Sequence, residues 1–213
     1  MTLHRIREPV NSLTHLAGAI LALAGTAALL HKAQEPMEYA AYSIYGVSLV
    51  LLFLASTALH TFSLDEAGMR RLRILDHAAI FLLIFGSYTP VTLLSLRDYS
   101  PGWGWTLFGL SAAFAFFGVV FKLFWIGAPR WLSTVLYLLM GWLVVVGIVP
   151  LVNALPAGAL VLLGLGGAFY SVGAIIYWIK RPNPFPGFGF HEIWHLFVLA
   201  GSACHYAMIY IYI

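Results

Sequence analysis

Residues 131–149 read WLSTVLYLLMGWLVVVGIV, and residues 157–179, beyond a turn-like stretch from Pro150 to Pro156, read AGALVLLGLGGAFYSVGAIIYWI. Neither run holds a charged residue or alternates in polarity, and each is close to the roughly 20 residues a helix needs to cross a hydrocarbon core. A transmembrane β-barrel would show alternating segments of about ten residues, so these runs exclude one. Working outward from this pair, polar and Pro/Gly interruptions mark five more runs, near residues 10–31, 39–62, 74–96, 103–125 and 191–212. The expected fold is all-α: a polytopic membrane protein with seven transmembrane helices, forming a single domain over residues 1–213.

Composition leads to the same class. The chain is 62% hydrophobic and 9% charged, with a mean hydropathy of +0.90, whereas soluble domains carry about 25% charged residues. No soluble domain, linker, low-complexity stretch or internal repeat interrupts the pattern. Trp103, Trp105, Trp131 and Tyr210 fit interfacial aromatic belts. The segment GLGGAF at 164–169 predicts close helix packing rather than a phosphate loop.

The positive-inside rule orients the bundle. With the N-terminus in the cytoplasm, Arg5, Arg7, Arg70, Arg71, Arg73, Lys122, Arg130, Lys180 and Arg181 all fall inside, and of the eleven Lys and Arg only Lys32 and Arg97 fall outside. The C-terminus is then external. No basic patch interleaved with aromatics points to nucleic acid, and the single Cys204 can form no intrachain disulfide. No cleavable signal is visible, so the first helix is expected to serve as an uncleaved anchor in the cell membrane.

Polar residues gather at one depth of this layout. Ser56 and His60 fall near the inner end of the second run, Asp76 and His77 in the expected first turn of the third, and His191 and His195 in the first turns of the seventh. Glu8, Asn11 and His15 do the same in the first. Ionisable groups within a membrane are costly, and they usually face the bundle interior with partners. Ser56/His60, Asn11/His15 and His191/His195 are each four residues apart, so each pair shares a helix face. His60, His191 and His195 would supply three neutral imidazoles, leaving a fourth position for water, which is the arrangement of a catalytic zinc. Asp76 could then hold that water or act as its base.

Other roles fit some of these residues. Asp76 could cap its helix or pair with Arg73, and Glu8, Asn11 and His15 could form a buried hydrogen-bond network behind the metal. Ser56 could bond its own helix. His205 lies about 80° around the helix from His195 and reads as a packed or cavity-lining side chain. Residues 191–195, HEIWH, also match the H-E-x-x-H zincin pattern, in which Glu192 would be the base of a metalloprotease. That reading takes Asp76 as third ligand and leaves His60 and the Glu8, Asn11, His15 cluster without a role.

The set E-P-V-N-x3-H (Glu8, Asn11, His15), S-x3-H (Ser56, His60), L-D-H (Leu75 to His77), G-S-Y-T-P (Gly86 to Pro90), Y-L-L-M-G-W (Tyr137 to Trp142) and H-E-I-W-H with a later His205 resembles the bacterial hemolysin III family. That family is the prokaryotic branch of the progestin and adiponectin receptor superfamily. The resemblance implies Zn2+ held by His60, His191 and His195, a zinc-bound water held by Asp76, and Ser56 beside the site. His77 and Glu192 would support it with the Glu8, Asn11 and His15 group. The superfamily's link to alkaline-ceramidase-like membrane hydrolases implies cleavage of a lipid amide, sphingolipid-like or fatty-amide, in membrane-lipid homeostasis. The hemolysin name implies instead a pore-forming cytolysin with structural zinc, and the receptor members a lipid-state sensor. One departure is that His77 follows Asp76 where receptor members tend to carry an aromatic residue.

Overall fold

A computed structural model of the chain describes residues 6–213, so Arg5 of the orienting charges lies outside the described residues. The described chain is helical almost throughout, and seven of its helices are long and apolar enough to cross a membrane. They are α1 (Pro9–Lys32), α2 (Pro36–Thr61), α3 (Glu66–Tyr99), α4 (Pro101–Phe124), α5 (Arg130–Ala154), α6 (Ala157–Ile179) and α7 (Phe190–Tyr212). The protein is a seven-helix, multi-pass membrane protein. Proline sets several of the boundaries. Pro9, Pro36 and Pro101 occupy first helical positions, where a missing N–H costs nothing, and Pro129 and Pro156 immediately precede α5 and α6.

Two helices run further than their apolar stretches. α3 begins at Glu66, where the Asp65 carboxylate accepts from the Gly68 N–H at 2.9 Å. Asp76 and His77 therefore lie in its third turn, not its first, and Asp65 rather than Asp76 is the cap. The extra turns carry Arg70, Arg71 and Arg73, which a hydropathy pattern does not register as helix. α5 continues to Ala154 rather than stopping at 149, passing Pro150 after a 3-10 stretch at Trp142–Gly147. Tyr88 of α3 enters that stretch: its hydroxyl donates to the carbonyls of Met140 (3.1 Å) and Gly141 (2.8 Å) and accepts from the Val144 N–H at 2.7 Å. A broken ladder inside a membrane is tolerated when a neighbouring helix satisfies it. Pro90 is likewise carried within α3 by a π-type stretch at Val91–Leu96.

α2 and α3 form the buried centre, with Tyr42, Tyr45, Leu49, Leu52 and Phe53 of α2 in the core. α1 packs on α2, α2 on α3, α3 on α4, and α7 on both α6 and α1. α5 is the loosest member, touching α3, α4 and α6 sparsely. Its outer face and those of α1, α4 and α6 expose large apolar side chains, up to Phe124 at 83%, as a lipid-facing surface requires. Trp103, Trp105, Trp131 and Tyr210 are on that surface. Of the GLGGAF glycines only Gly166 makes a close approach, against the His205 ring, while Gly164 and Gly167 face open space. The closer interhelical approaches are Gly86 on Ser48 and Gly158 on the Tyr212 hydroxyl.

Candidate metal centre

The N-terminal end of α1 and the C-terminal end of α2 are joined before any side chain of the site is considered. A helix ends with carbonyls that lack partners. At the end of α2 these are met by the chain leading into α1, the Arg7 N–H donating to the Thr61 carbonyl (3.3 Å) and the Glu8 N–H to the His60 carbonyl (2.9 Å). Ser12 and Thr61 join the two helices again through their hydroxyls at 2.6 Å. Glu8 is thereby laid beside His60, and its carboxylate accepts from His60 Nδ1 at 2.6 Å. That hydrogen bond, with help from Arg7 at 3.0 Å, holds the Glu8 carboxyl down at about 2 against the opposing effect of burial.

His60, His191 and His195 form a cluster that could hold a metal ion, each offering one ring nitrogen within 4.8 Å of the others. Their ring centroids make a nearly equilateral triangle, at 4.9 Å (His60 to His195), 5.0 Å (His60 to His191) and 5.0 Å (His191 to His195). Three imidazoles held tetrahedrally, at a metal–nitrogen distance of about 2.0–2.1 Å, place their centroids about 5 Å apart. With Nδ1 committed to Glu8, His60 turns Nε2 to the cluster, the carboxylate–histidine arrangement that fixes a ligand's tautomer. His60 and His195 are each 2% exposed, and the face of His195 is covered by His15, stacked at 3.6 Å with the rings 11° from parallel. The donor set, its spacing and its backing therefore fit a zinc-type ion.

Glu192 is engaged elsewhere. It is the third residue of α7, where its Oε2 accepts from the Gly189 N–H at 2.7 Å as a helix cap, and its Oε1 accepts from Asn11 Nδ2 at 2.8 Å. Asn11 donates to Glu8 Oε2 as well, at 3.1 Å, and so ties the two carboxylates together across α1 and α7. Among the described residues Asn11 Oδ1, His195 Nδ1 and both nitrogens of His15 are buried without a hydrogen-bond partner.

Asp76 and Ser56 line a cavity of about 280 Å³ whose wall also carries His191, His195, His15 and His77. The Asp76 carboxylate is 3.5 Å from His77 Nδ1, which also reaches the Arg73 carbonyl at 2.9 Å. Asp76 makes no ion pair with Arg73, and Ser56 makes no hydrogen bond to its own helix among the described residues. The cavity continues between α3, α5, α6 and α7 past Ile80, Leu83, Ile84 and Val198 to Tyr88, Trp142, Tyr170 and His205. From His191 to His205 it follows α7 for about 21 Å at 1.5 Å per residue. His205 is in contact distance of the Leu163 carbonyl (3.4 Å), in the space Gly166 leaves.

Two residues of the wall were read from the sequence only as surface charges. Lys122 is 1% exposed, with Nζ donating to Ser133 Oγ at the wall of the cavity, and Arg130 lies over the Tyr177 ring at 4.4 Å while donating to the Tyr177 carbonyl at 3.1 Å. A lysine inside the apolar run FKLFW was the available signal for the first.

Comparison with known proteins covers nearly the whole chain. The family described as Haemolysin-III related matches residues 3–206. Hemolysin-3 of Bacillus cereus is 41% identical over 211 residues, covering 97% of this chain and 91% of that protein. The Hemolysin-3 homolog of Bacillus subtilis (strain 168) is 38% identical over 208 residues, covering 96% and 93%. Monocyte to macrophage differentiation factor of Homo sapiens is 27% identical over 210 residues, covering 95% and 83%, and extends the likeness to the progestin and adiponectin receptor superfamily.

Proposed function

The chain belongs to the haemolysin-III-related family, and on that premise we propose that it is a zinc-dependent membrane hydrolase that cleaves a lipid amide. The observation that carries the proposal is the near-equilateral triangle of His60, His191 and His195, of which His191 and His195 line a cavity that Asp76 also lines. Zinc held by three imidazoles supplies Lewis acidity and brings the pKa of water down from 15.7 toward about 7.

The chain's own residues would do the rest. Glu8 holds the proton on His60 Nδ1 and keeps Nε2 free for the metal. His15 covers His195 and excludes water from its buried face. Asp76 takes the proton from the attacking water and returns it to the leaving amine, and Ser56 orients that carboxylate. The long apolar part of the cavity takes the acyl chain; from His195 to His205 it runs about 15 Å, comparable to the half-bilayer of about 15 Å that one chain spans. Membrane lipids, sphingolipid-like or fatty amides, are the matching substrates, and membrane-lipid homeostasis is the matching role. Glu192 is not the base, since both its oxygens are occupied by Asn11 and Gly189. By the distribution of Lys and Arg, the histidine end faces the cytoplasm. A C-terminal tag should accordingly be labelled only from outside intact cells.

A second reading is favoured by the name of the Bacillus cereus relative: a pore-forming cytolysin in which the metal is structural. The two readings separate in one preparation. Wild-type protein in vesicles should release amine from a lipid amide, with the activity lost on chelation, and should leave a trapped dye in place. Dye release without any hydrolysis would overturn the hydrolase proposal.

A further inference from the structure

Lys122 is among the most deeply buried side chains of the bundle, and it sits in the wall of the cavity at the histidine end. Among the described residues its one hydrogen-bond partner is the neutral hydroxyl of Ser133. Arg130, the first residue of α5, lies at the same end and in the same wall, and its hydrogen bond goes to a backbone carbonyl. Among the described residues neither cation comes within 4.0 Å of a carboxylate; the ion pairs present are Arg7 with Glu8, His60 with Glu8, His77 with Asp76, and Arg97 with Asp98.

A buried cation is normally paired, because the charge loses its hydration without recovering it from an anion. A lysine near a membrane helix end can also extend its stem until the ammonium reaches water. Lys122 does not, being enclosed by protein and turned to the cavity instead. Arg130 adds a planar, permanently charged fork suited to carboxylate and phosphate oxygens. Among the described residues Asp76 is the one carboxylate that lines the cavity, so its polar end holds more fixed positive than negative charge.

We propose that Lys122 and Arg130 form an anion-binding subsite at the histidine end of the cavity, which takes the acidic group of an amphiphile whose acyl chain lies along the apolar part. The proposal rests on the reading of the cavity as the lipid site and narrows its substrate class: an acyl amide whose amine portion carries a carboxylate or a phosphate. The shared chemistry is the anionic oxygen group, and probes with one acyl chain tell the two sources apart.

The test compares N-oleoylglycine, the phosphate ester of N-oleoylethanolamine, and neutral N-oleoylethanolamine. Affinities are measured on the purified full chain in nanodiscs of neutral lipid, before and after chelation of metal. At least one acidic ligand should bind about tenfold or more tightly than the neutral one, as expected for charge-assisted hydrogen bonds, and the preference should survive chelation. Which acid binds better identifies carboxylate or phosphate. Lys122→Met should bring acidic and neutral ligands to within about threefold of each other, and Arg130→Gln, an independent variant should the first fail to fold, should weaken the preference in the same direction. Equal binding of all three ligands by wild type would overturn the subsite alone. So would a preference that persists in both variants or disappears on chelation. Failure of all three to bind would overturn the lipid cavity itself, and the subsite with it.

Discussion

The two sides of the cavity are built differently. On the α1, α2 and α7 side, the inner helix ends are joined by backbone and side-chain hydrogen bonds that run from Thr61 through Arg7 and Glu8 to Asn11 and Glu192. On the α5 side the packing is sparse and the helix contains a 3-10 stretch, and among the described residues two side-chain hydrogen bonds link α5 to α6: Arg130 with Tyr177 and Trp142 with Ser171 at 2.9 Å. Ligands of a metal must be held to a fraction of an ångström, and the first side has the connections to do so. A cavity for long, variable chains needs no such definition. Under the proposed function the metal is held on the rigid wall, with room for substrate on the loose one.

The sharpest way to break that division is to exchange the two candidate bases. Asp76→Asn should lower any lipid-amide turnover by about 10²- to 10⁴-fold, the usual contribution of a positioned acid–base group, at unchanged zinc content. Glu192→Gln should cost less than about tenfold, because it alters a helix cap and the link to Asn11 rather than the reacting groups. The opposite ranking, on one substrate with both variants metal-loaded, would assign the base to the carboxylate of HEIWH.

A smaller effect should come from the rigid wall's support. Glu8→Gln keeps the size of the side chain but removes the charge that His60 Nδ1 addresses, and should weaken zinc affinity about 10- to 100-fold in a competition titration with a chelator. An unchanged affinity would mean that Glu8 serves only to anchor the chain before α1. The smallest effect on the metal is expected from the loose wall. Tyr88→Phe removes the hydroxyl that serves three backbone groups of α5 and should cost about 1–3 kcal/mol of stability in thermal or denaturant unfolding, with zinc content unchanged. Zinc loss in that variant would show that the two walls are coupled.

The seven crossings were legible because apolar length is a local property, and the three histidines because counting from the ends of apolar runs places them at one depth. The start of α3 was not legible: its first turns carry Arg70, Arg71 and Arg73, and helix outside the bilayer has no hydropathy signal. That displaced Asp76 from the first turn to the third and made Asp65 the cap. The bond from His60 to Glu8 was hidden too, since it depends on the chain before α1 lying across the end of α2. The place of Lys122 and Arg130 in the cavity wall was not legible for a related reason. Counting charges fixes which side of the membrane a residue favours, whereas whether its side chain turns to water or to a cavity depends on how α4 and α5 pack.

The most direct test of the metal centre is the zinc content of His60→Ala beside that of wild type, by elemental analysis of folded protein purified in parallel. Three imidazoles from two helices, with His60 the only one from α2, predict about one zinc per chain in wild type and little in the variant. Equal zinc in the two proteins would contradict the three-histidine centre and leave the metal to α7 and another partner.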